Sequence, residues 1–285
     1  KAAYGDISPN PDVEEVDRCA KMIREEGIDF IVALGGGSSM DAAKAAATIA
    51  LTEDSIRKYH GTGEKVPQEH LPLIAIPTTA GTSSEITNVV ALTDTVNVCK
   101  YVIIDNKIVA DKVIADPEFT KTMPVSVTAA TGMDAITHAV ESYISNMATS
   151  LTEYHSLKAL QIFYEYLPKA VADGSDMEAR EKMMLGCLIA GFGFSNANLG
   201  LVHGIAHTLS AHFHLAHGMA NATVLPYVME YNADSCPEKM VELAKAINLP
   251  VSGNLEEDKY LLSKELLKLT KELRIKTLSE QGITE

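Results

Sequence analysis

Through the first third of the chain, apolar residues fall in short blocks divided by glycine-rich and hydroxyl-rich loops. Val13, Val16, Ala20 and Ile23 recur at helical spacing within Pro11 to Gly27, a segment closed by its glycine, and predict an amphipathic helix. Phe30 to Leu34 and Leu73 to Ile76 are unbroken apolar runs, the mark of buried parallel strands. The alanine-rich Ser39 to Leu51 predicts a helix between them. Tyr101 to Ile104 predicts a third strand and Val113 to Ala115 a fourth. Strand, glycine loop and helix in succession imply a parallel, Rossmann-like sheet with helices on both faces.

Beyond Pro124 the pattern changes to helical spacing throughout. Ser126 to Ser145, Leu151 to Ala172, Met177 to Phe194, Leu201 to His212 and Glu256 to Leu273 all predict helices. Leu262, Leu266, Leu269 and Leu273 form one apolar stripe, which points to core packing. The chain therefore divides into an α/β domain, residues 1–123, and an all-α domain, residues 124–285.

Composition narrows the partners. Hydrophobic residues make up 46 % of the 285 and charged residues 22 %, enough apolar material for a large core. A net charge of −14 argues against nucleic acid and against anionic membrane surfaces. The longest apolar run, Leu185 to Phe194, is too short to span a bilayer. Cys19, Cys99, Cys187 and Cys236 are scattered and form no C-x-x-C, which reads as reduced, mostly buried thiols in a cytoplasmic protein.

Two stretches of the helical half carry metal-binding chemistry. Asp134 and His138 are four residues apart, as are His203 and His207, and His217 follows. An i, i+4 spacing puts two side chains on one helix face, and N and O donors so arranged can close on a divalent metal. His203 and His207 resemble a zinc-peptidase pair, but Gly204 stands where such a helix carries its glutamate base. His212 and His214 read as bystanders. In the α/β half, Gly35, Gly36, Gly37 and Ser38 follow a strand and open a helix, where backbone N–H groups can close on a phosphate. Ser38 and Asp41 also fit a capping box, a purely structural role. The loop Thr78, Thr79, Ala80, Gly81, Thr82, Ser83, Ser84 offers hydroxyls at the end of the next strand, so both loops should share one sheet edge.

Together, GGGSSMDAAKA, IPTTAGTSSEIT, TGMDAITHAVESYIS and LGLVHGIAHTLSAHFHLAHGMAN resemble the iron-containing (group III) alcohol dehydrogenase family, in the family's order and from about Pro9 to Thr284. The resemblance implies Fe²⁺ or Zn²⁺ held by Asp134, His138, His203 and His217. It puts His207 near the nicotinamide and substrate, off the metal, as a proton relay. It assigns NAD or NADP to Gly35, Gly36, Gly37, Ser38, Thr78, Thr79 and Thr82, with Lys100, Asn10 and Asn88 as further contacts. The first domain would then bind dinucleotide and the second the metal. The implied reaction is hydride transfer between NAD(P) and a small primary alcohol, diol or aldehyde, in a homo-oligomer. A dehydroquinate-synthase-like lyase, expected to carry a Glu among the ligands, and a non-catalytic relative with a structural metal are the rivals. The family's usual proline before the last ligand is Ala216 here, and the pair after His207 and two further residues is Ser210-Ala211; both bear on substrate identity. A sheet of only about four strands would leave an edge open, against a usual mean of roughly five or six. We therefore expect Lys1–Glu285 to belong to a longer polypeptide.

Overall fold

The computed structural model describes residues 1–60 and 64–283. The first helix, α1 (Val13–Glu25), starts at a capping box: Asp12 Oδ1 accepts from Glu15 N at 2.6 Å, and Glu15 Oε2 accepts from Asp12 N at 3.0 Å. Its predicted apolar stripe, Val13, Val16, Ala20 and Ile23, is buried. Strands β1 (Ile31–Gly35) and β2 (Leu73–Pro77) run parallel in the expected places, joined through α2 (Gly37–Ile49).

The third expected strand lies elsewhere. Residues Cys99–Ile104 (β4) pair antiparallel with Val89–Asp94 (β3), from Val89 opposite Ile104 to Asp94 opposite Cys99. The link between them is too short for a parallel crossover, which needs a dozen or more residues, so a hairpin results. The parallel sheet is completed by the short β5 (Lys112–Val113), in the order β1-β2-β5, and has three strands among the described residues. Ala33, Leu73 and Ala75 pack on Met40 of α2, whereas Val32 and Leu34 on the other side of β1 are 49% and 56% exposed. Among the described residues, no helix covers the Val32 and Leu34 side of this strand.

Helix α2 begins at Gly37, with Gly36 as its N-cap, and the predicted Ser38–Asp41 capping box does not form. Asp41 instead bonds outward: its carboxylate accepts from the Ser84 hydroxyl and from Ala91 N at 2.9 Å. One turn on, Lys44 is 1% exposed, and its ammonium donates to the carbonyls of Ser84 (2.8 Å), Thr87 (3.2 Å) and Val89 (2.5 Å). Burial pushes this ammonium below its ordinary pKa, and Asp41 and Glu85 oppose the shift. The pair ties α2 to the loop after β2 and to β3.

The helical half is built on α3 (Val125–Ile144), packed against α4 (Ser150–Ala172) and α5 (Met177–Ala197). Met133, Ile136 and Val140 meet Leu160, Phe163, Leu167 and Met183 in one core. α6 (Leu201–Phe213) follows as expected. Two helices absent from the sequence expectation, α7 (His217–Asn232) and α8 (Pro237–Ala246), come next. α7 hides from a periodicity search because it is apolar around most of its girth and contains Pro226. The predicted last helix is broken into α9 (Leu255–Asp258) and α10 (Leu261–Glu272), and its leucine stripe is buried in the same core. The four cysteines are free; only Cys187 is buried, the others half-buried. Among the described residues, no single helix is long and apolar enough to cross a membrane.

Lys44→Met removes a donor shared by three carbonyls and strands two carboxylates beside it. Urea unfolding should show a loss of about 2–4 kcal/mol; unchanged stability would mean that α2 is held by its apolar face alone.

Candidate active site

Three helices converge on one buried carboxylate. On α3, Asp134, His138 and Glu141 share a face at i, i+4 and i+7 and are 1%, 5% and 1% exposed. His203 comes from the first turn of α6 and His217 opens α7. Asp134 Oδ1 lies 3.8 Å from His203 Nε2 and 3.7 Å from His217 Nε2. The ligand atoms of Asp134, His138 and His203 all fall within 4.8 Å of one another. The close approach of α7 requires Gly218, where a Cβ would sit 2.7 Å from the Ala130 carbonyl oxygen.

Electrostatics suit a cation. Burial raises the Asp134 carboxyl, but His138, His217, His203 and a hydrogen bond from Asn221 outweigh it and hold the group below its ordinary value. Burial pushes His138 and His203 down, so both imidazoles are neutral and offer lone pairs. His138 Nδ1 is buried without a hydrogen-bond partner, while the ring stacks on Phe194 at 4.3 Å. Donors on a tetrahedral ion with bonds of about 2.0–2.2 Å stand about 3.3–3.6 Å apart. The Asp134–His203 and Asp134–His217 separations are a few tenths of an ångström wider, and His138 lies close enough to close on the same point, so the donor set suits a divalent metal.

Two further residues complete the cluster, and sequence reasoning missed both. Glu141 Oε1 accepts from Val202 N at 2.6 Å, and Oε2 lies 2.6 Å from His203 Nδ1 and 3.4 Å from His203 N. Since its oxygens accept backbone N–H bonds, the imidazole is the donor at Nδ1, which leaves Nε2 as a bare lone pair facing Asp134. Glu141 thus caps α6 and aims its histidine at once; burial raises its carboxyl and those backbone donors counter it. Asn221, one turn beyond His217 and fully buried, places Nδ2 2.6 Å from Asp134 Oδ1, 3.2 Å from His203 Nε2 and 3.1 Å from His217 Nε2. Extending the Asp134–His138 set by one more turn would have found Glu141, and stepping one turn on from His217 would have found Asn221.

His207 stands beside the cluster, its ring 5.3 Å from that of His217 and 5.9 Å from that of His203. Burial, with His217 and Lys100 nearby, pushes it down to about 3. His212 and His214 belong to the end of α6, where His214 takes the left-handed cap conformation.

The cluster floors a cleft of about 930 Å³ whose other wall is the α/β half. Asn10, Gly36, Gly37, Ser38, Thr79, Thr82 and Lys100 line it together with Asp134, His138, His203, His207 and His217. The two loops share one sheet edge as expected. Thr78 N donates to Gly35 O at 2.8 Å, and Gly37 lies so close to Thr82 that a Cβ there would meet the threonine methyl at 2.7 Å. Gly35 and Thr78 sit behind the lining and hold the loops to each other. Lys100 Nζ donates to Asn10 Oδ1 at 2.9 Å and to Thr93 Oγ1 at 3.2 Å, and burial lowers the ammonium to about 8. Asn88 turns away: it stands just before β3, where its carbonyl accepts from Asp105 N at 3.0 Å, and its amide donates to Asn106 Oδ1 at 2.9 Å beyond the end of β4. Ala216 lines the cleft, but Ser210 and Ala211 are buried within α6 and do not.

An ionised carboxylate and three imidazoles beneath paired glycine and hydroxyl loops define a protein of the metal-and-nucleotide oxidoreductase type. Comparison with known proteins gives the family. Residues 1–117 match the family described as iron-containing alcohol dehydrogenase, and residues 128–285 match the Fe-containing alcohol dehydrogenase family, C-terminal. The chain belongs to the iron-containing alcohol dehydrogenase family and is an oxidoreductase of the alcohol dehydrogenase class. It is 39% identical over 286 residues to long-chain-alcohol dehydrogenase 1 of Geobacillus thermodenitrificans, covering 99% of this chain and 72% of that protein. Sulfoacetaldehyde reductase from Bifidobacterium kashiwanohense, solved in complex with NAD⁺, is 38% identical with a TM-score of 0.90, over 100% of this chain and 74% of that one. A crystal structure of 1,3-propanediol oxidoreductase is 36% identical with a TM-score of 0.94, over 99% and 74%.

Glu141→Gln provides a check on this geometry. Its amide nitrogen would face either backbone donors or the His203 Nδ1–H. We expect about 1–3 kcal/mol lower stability and a shift of His203 to the Nε2–H tautomer, read from ¹⁵N chemical shifts. An unchanged tautomer would show that Glu141 does not set it.

Proposed function

We propose that this chain is a metal-dependent, NAD(P)-linked dehydrogenase that interconverts a small primary alcohol or diol and its aldehyde. One observation carries the reading: the donor cluster forms the floor of the same cleft onto which both nucleotide-type loops open. In this reading Asp134, His138, His203 and His217 hold Fe²⁺ or Zn²⁺, and residues 124–285 form the metal-binding domain. Residues 1–123 form the dinucleotide-binding domain; the last strand ends at Val113 and the first long helix begins at Val125, which supports a boundary between them. When bound, the divalent ion supplies Lewis acidity to the substrate oxygen and the nicotinamide supplies the hydride chemistry.

The chain's own groups have distinct parts. Gly36, Gly37, Ser38, Thr79 and Thr82 offer N–H and hydroxyl donors to NAD or NADP at the start of α2, where the helix terminus adds positive partial charge. Lys100 adds a full charge, and Asn10 anchors that ammonium. His207, beside the cluster but outside it, carries the substrate hydroxyl proton toward solvent. Phe194 and the methyl groups of Val127 and Ala130 give the cleft an apolar wall suited to a short carbon chain. The four donors being one Asp and three His speaks against the lyase, and the open cleft beside them speaks against a purely structural metal. We further propose a homo-oligomeric cytoplasmic protein, a reading that rests on the family resemblance and on the free cysteines.

Short alcohols, diols and aldehydes, assayed with NAD(H) and NADP(H) in Fe²⁺- or Zn²⁺-loaded protein, should change the nicotinamide absorbance. Asp134→Ala and His203→Ala should abolish both metal content and rate. Silence across the panel, or full metal occupancy in either variant, would overturn the proposal. Lys100 adds a pH signature. It is charged below about 8 and neutral above, so its attraction for a phosphate is present at pH 7 and lost as pH rises through that value. NADH affinity should fall between pH 7 and 9.5 in the parent chain, and Lys100→Met should be weak and flat over that range.

A further inference from the structure

The geometry points to a role for Asn221 that rests on the metal-site reading above: we propose that it is the positioning residue that orients the Asp134 carboxylate for the metal. Its side chain is fully buried and faces the donor cluster from α7, one turn beyond His217. The amide nitrogen donates to Asp134 Oδ1 at 2.6 Å, the same oxygen that approaches His203 and His217. No other side chain among the described residues donates to Asp134. The carbonyl end of the amide, Oδ1, is buried with no partner, so contacts at the cluster alone fix the side chain's orientation.

Two residues outside the ligand set therefore brace the three ligand-bearing helices. Glu141 links α3 to α6 through His203, and Asn221 links α3 to α7 through Asp134. A buried carboxylate with one charge-assisted hydrogen bond loses most of its orientation when that donor is removed. Partners that orient a metal ligand in this way typically change metal affinity by about 10–100-fold.

Two substitutions separate the donor role from packing. Asn221→Leu keeps the branched outline of the side chain, fills the space at least as fully, and removes the donor. Asn221→Ala opens a space of about one water beside polar groups, and a water there can donate to Asp134. Zn²⁺ affinity is measured on the full chain by competition with a chromophoric chelator, with circular dichroism confirming the fold of each variant. Orientation by hydrogen bonding requires Asn221→Leu to bind Zn²⁺ about 10–100-fold more weakly than the parent, with Asn221→Ala in between. Rates at saturating metal should recover in both. If Asn221→Ala binds more weakly than Asn221→Leu, the side chain acts by filling space, and the inference fails. Parent affinity in Asn221→Leu also overturns it. A parent chain whose Zn²⁺ binding is no tighter than that of Asp134→Ala would instead sink the metal-site reading itself.

Discussion

An ionised carboxylate cannot be buried alone, and the helical half of this protein is organised around that constraint. Asp134 is 1% exposed. Removing such a charge from water is expensive unless partners return the lost interactions. Here they come from three directions: His138 on the same helix, His203 from α6, and His217 with Asn221 from α7. The partners on α6 and α7 fix the positions of those helices relative to α3. The apolar core beneath, with Met133, Ile136 and Val140 on the opposite side of α3, holds that helix rigid.

The second requirement is that this floor be in register with the α/β half. The loop after β2 meets α3 at Gly81, where a Cβ would lie 2.6 Å from Thr131, one turn before Asp134. The same loop is tied back to α2 by Asp41 and Lys44 through Ser84. A chain of direct contacts thus runs from α2, through the hydroxyl-rich loop, to the face of α3 that carries Asp134. The buried Lys44 is costly on its own, yet it donates to the carbonyls of Ser84, Thr87 and Val89 along the run that leads into β3. A reaction between a dinucleotide and a metal-held substrate depends on that spacing, since misplacement by about 1 Å can reduce a rate by about 100-fold.

Sequence patterns made much of this legible because the relevant signals are local. A one-turn spacing places Asp134 beside His138 whatever the rest of the chain does, and the same holds for His203 and His207. The glycine loop after β1 and the hydroxyl loop after β2 follow from strand polarity alone. Errors arose where a residue's partner is distant in sequence. Asp41 looks like a helix cap until Ser84 and Ala91 come within reach of it. Tyr101 to Ile104 looks like one more parallel strand until Val89 to Asp94 folds back beside it. Asn88 matches a polar position in the family motif, yet the hairpin turns it toward Asn106.

The amino-acid sequence by itself carried the division into an α/β half and a helical half through short-range periodicity, and the family, with the four residues that resemblance implies for the metal, through motif order. Only the tertiary structure gave the distances at which the crowded histidines stand from the carboxylate. His203 and His217 reach Asp134, His207 stands beside them, and His212 and His214 fall away. It also revealed Glu141 and Asn221 as the bonds that join α3 to α6 and to α7. The physical reason is the range of the interactions. Helical phase is set within a turn, whereas a hydrogen bond between side chains 62 or 87 positions apart exists only after the core has brought the helices together.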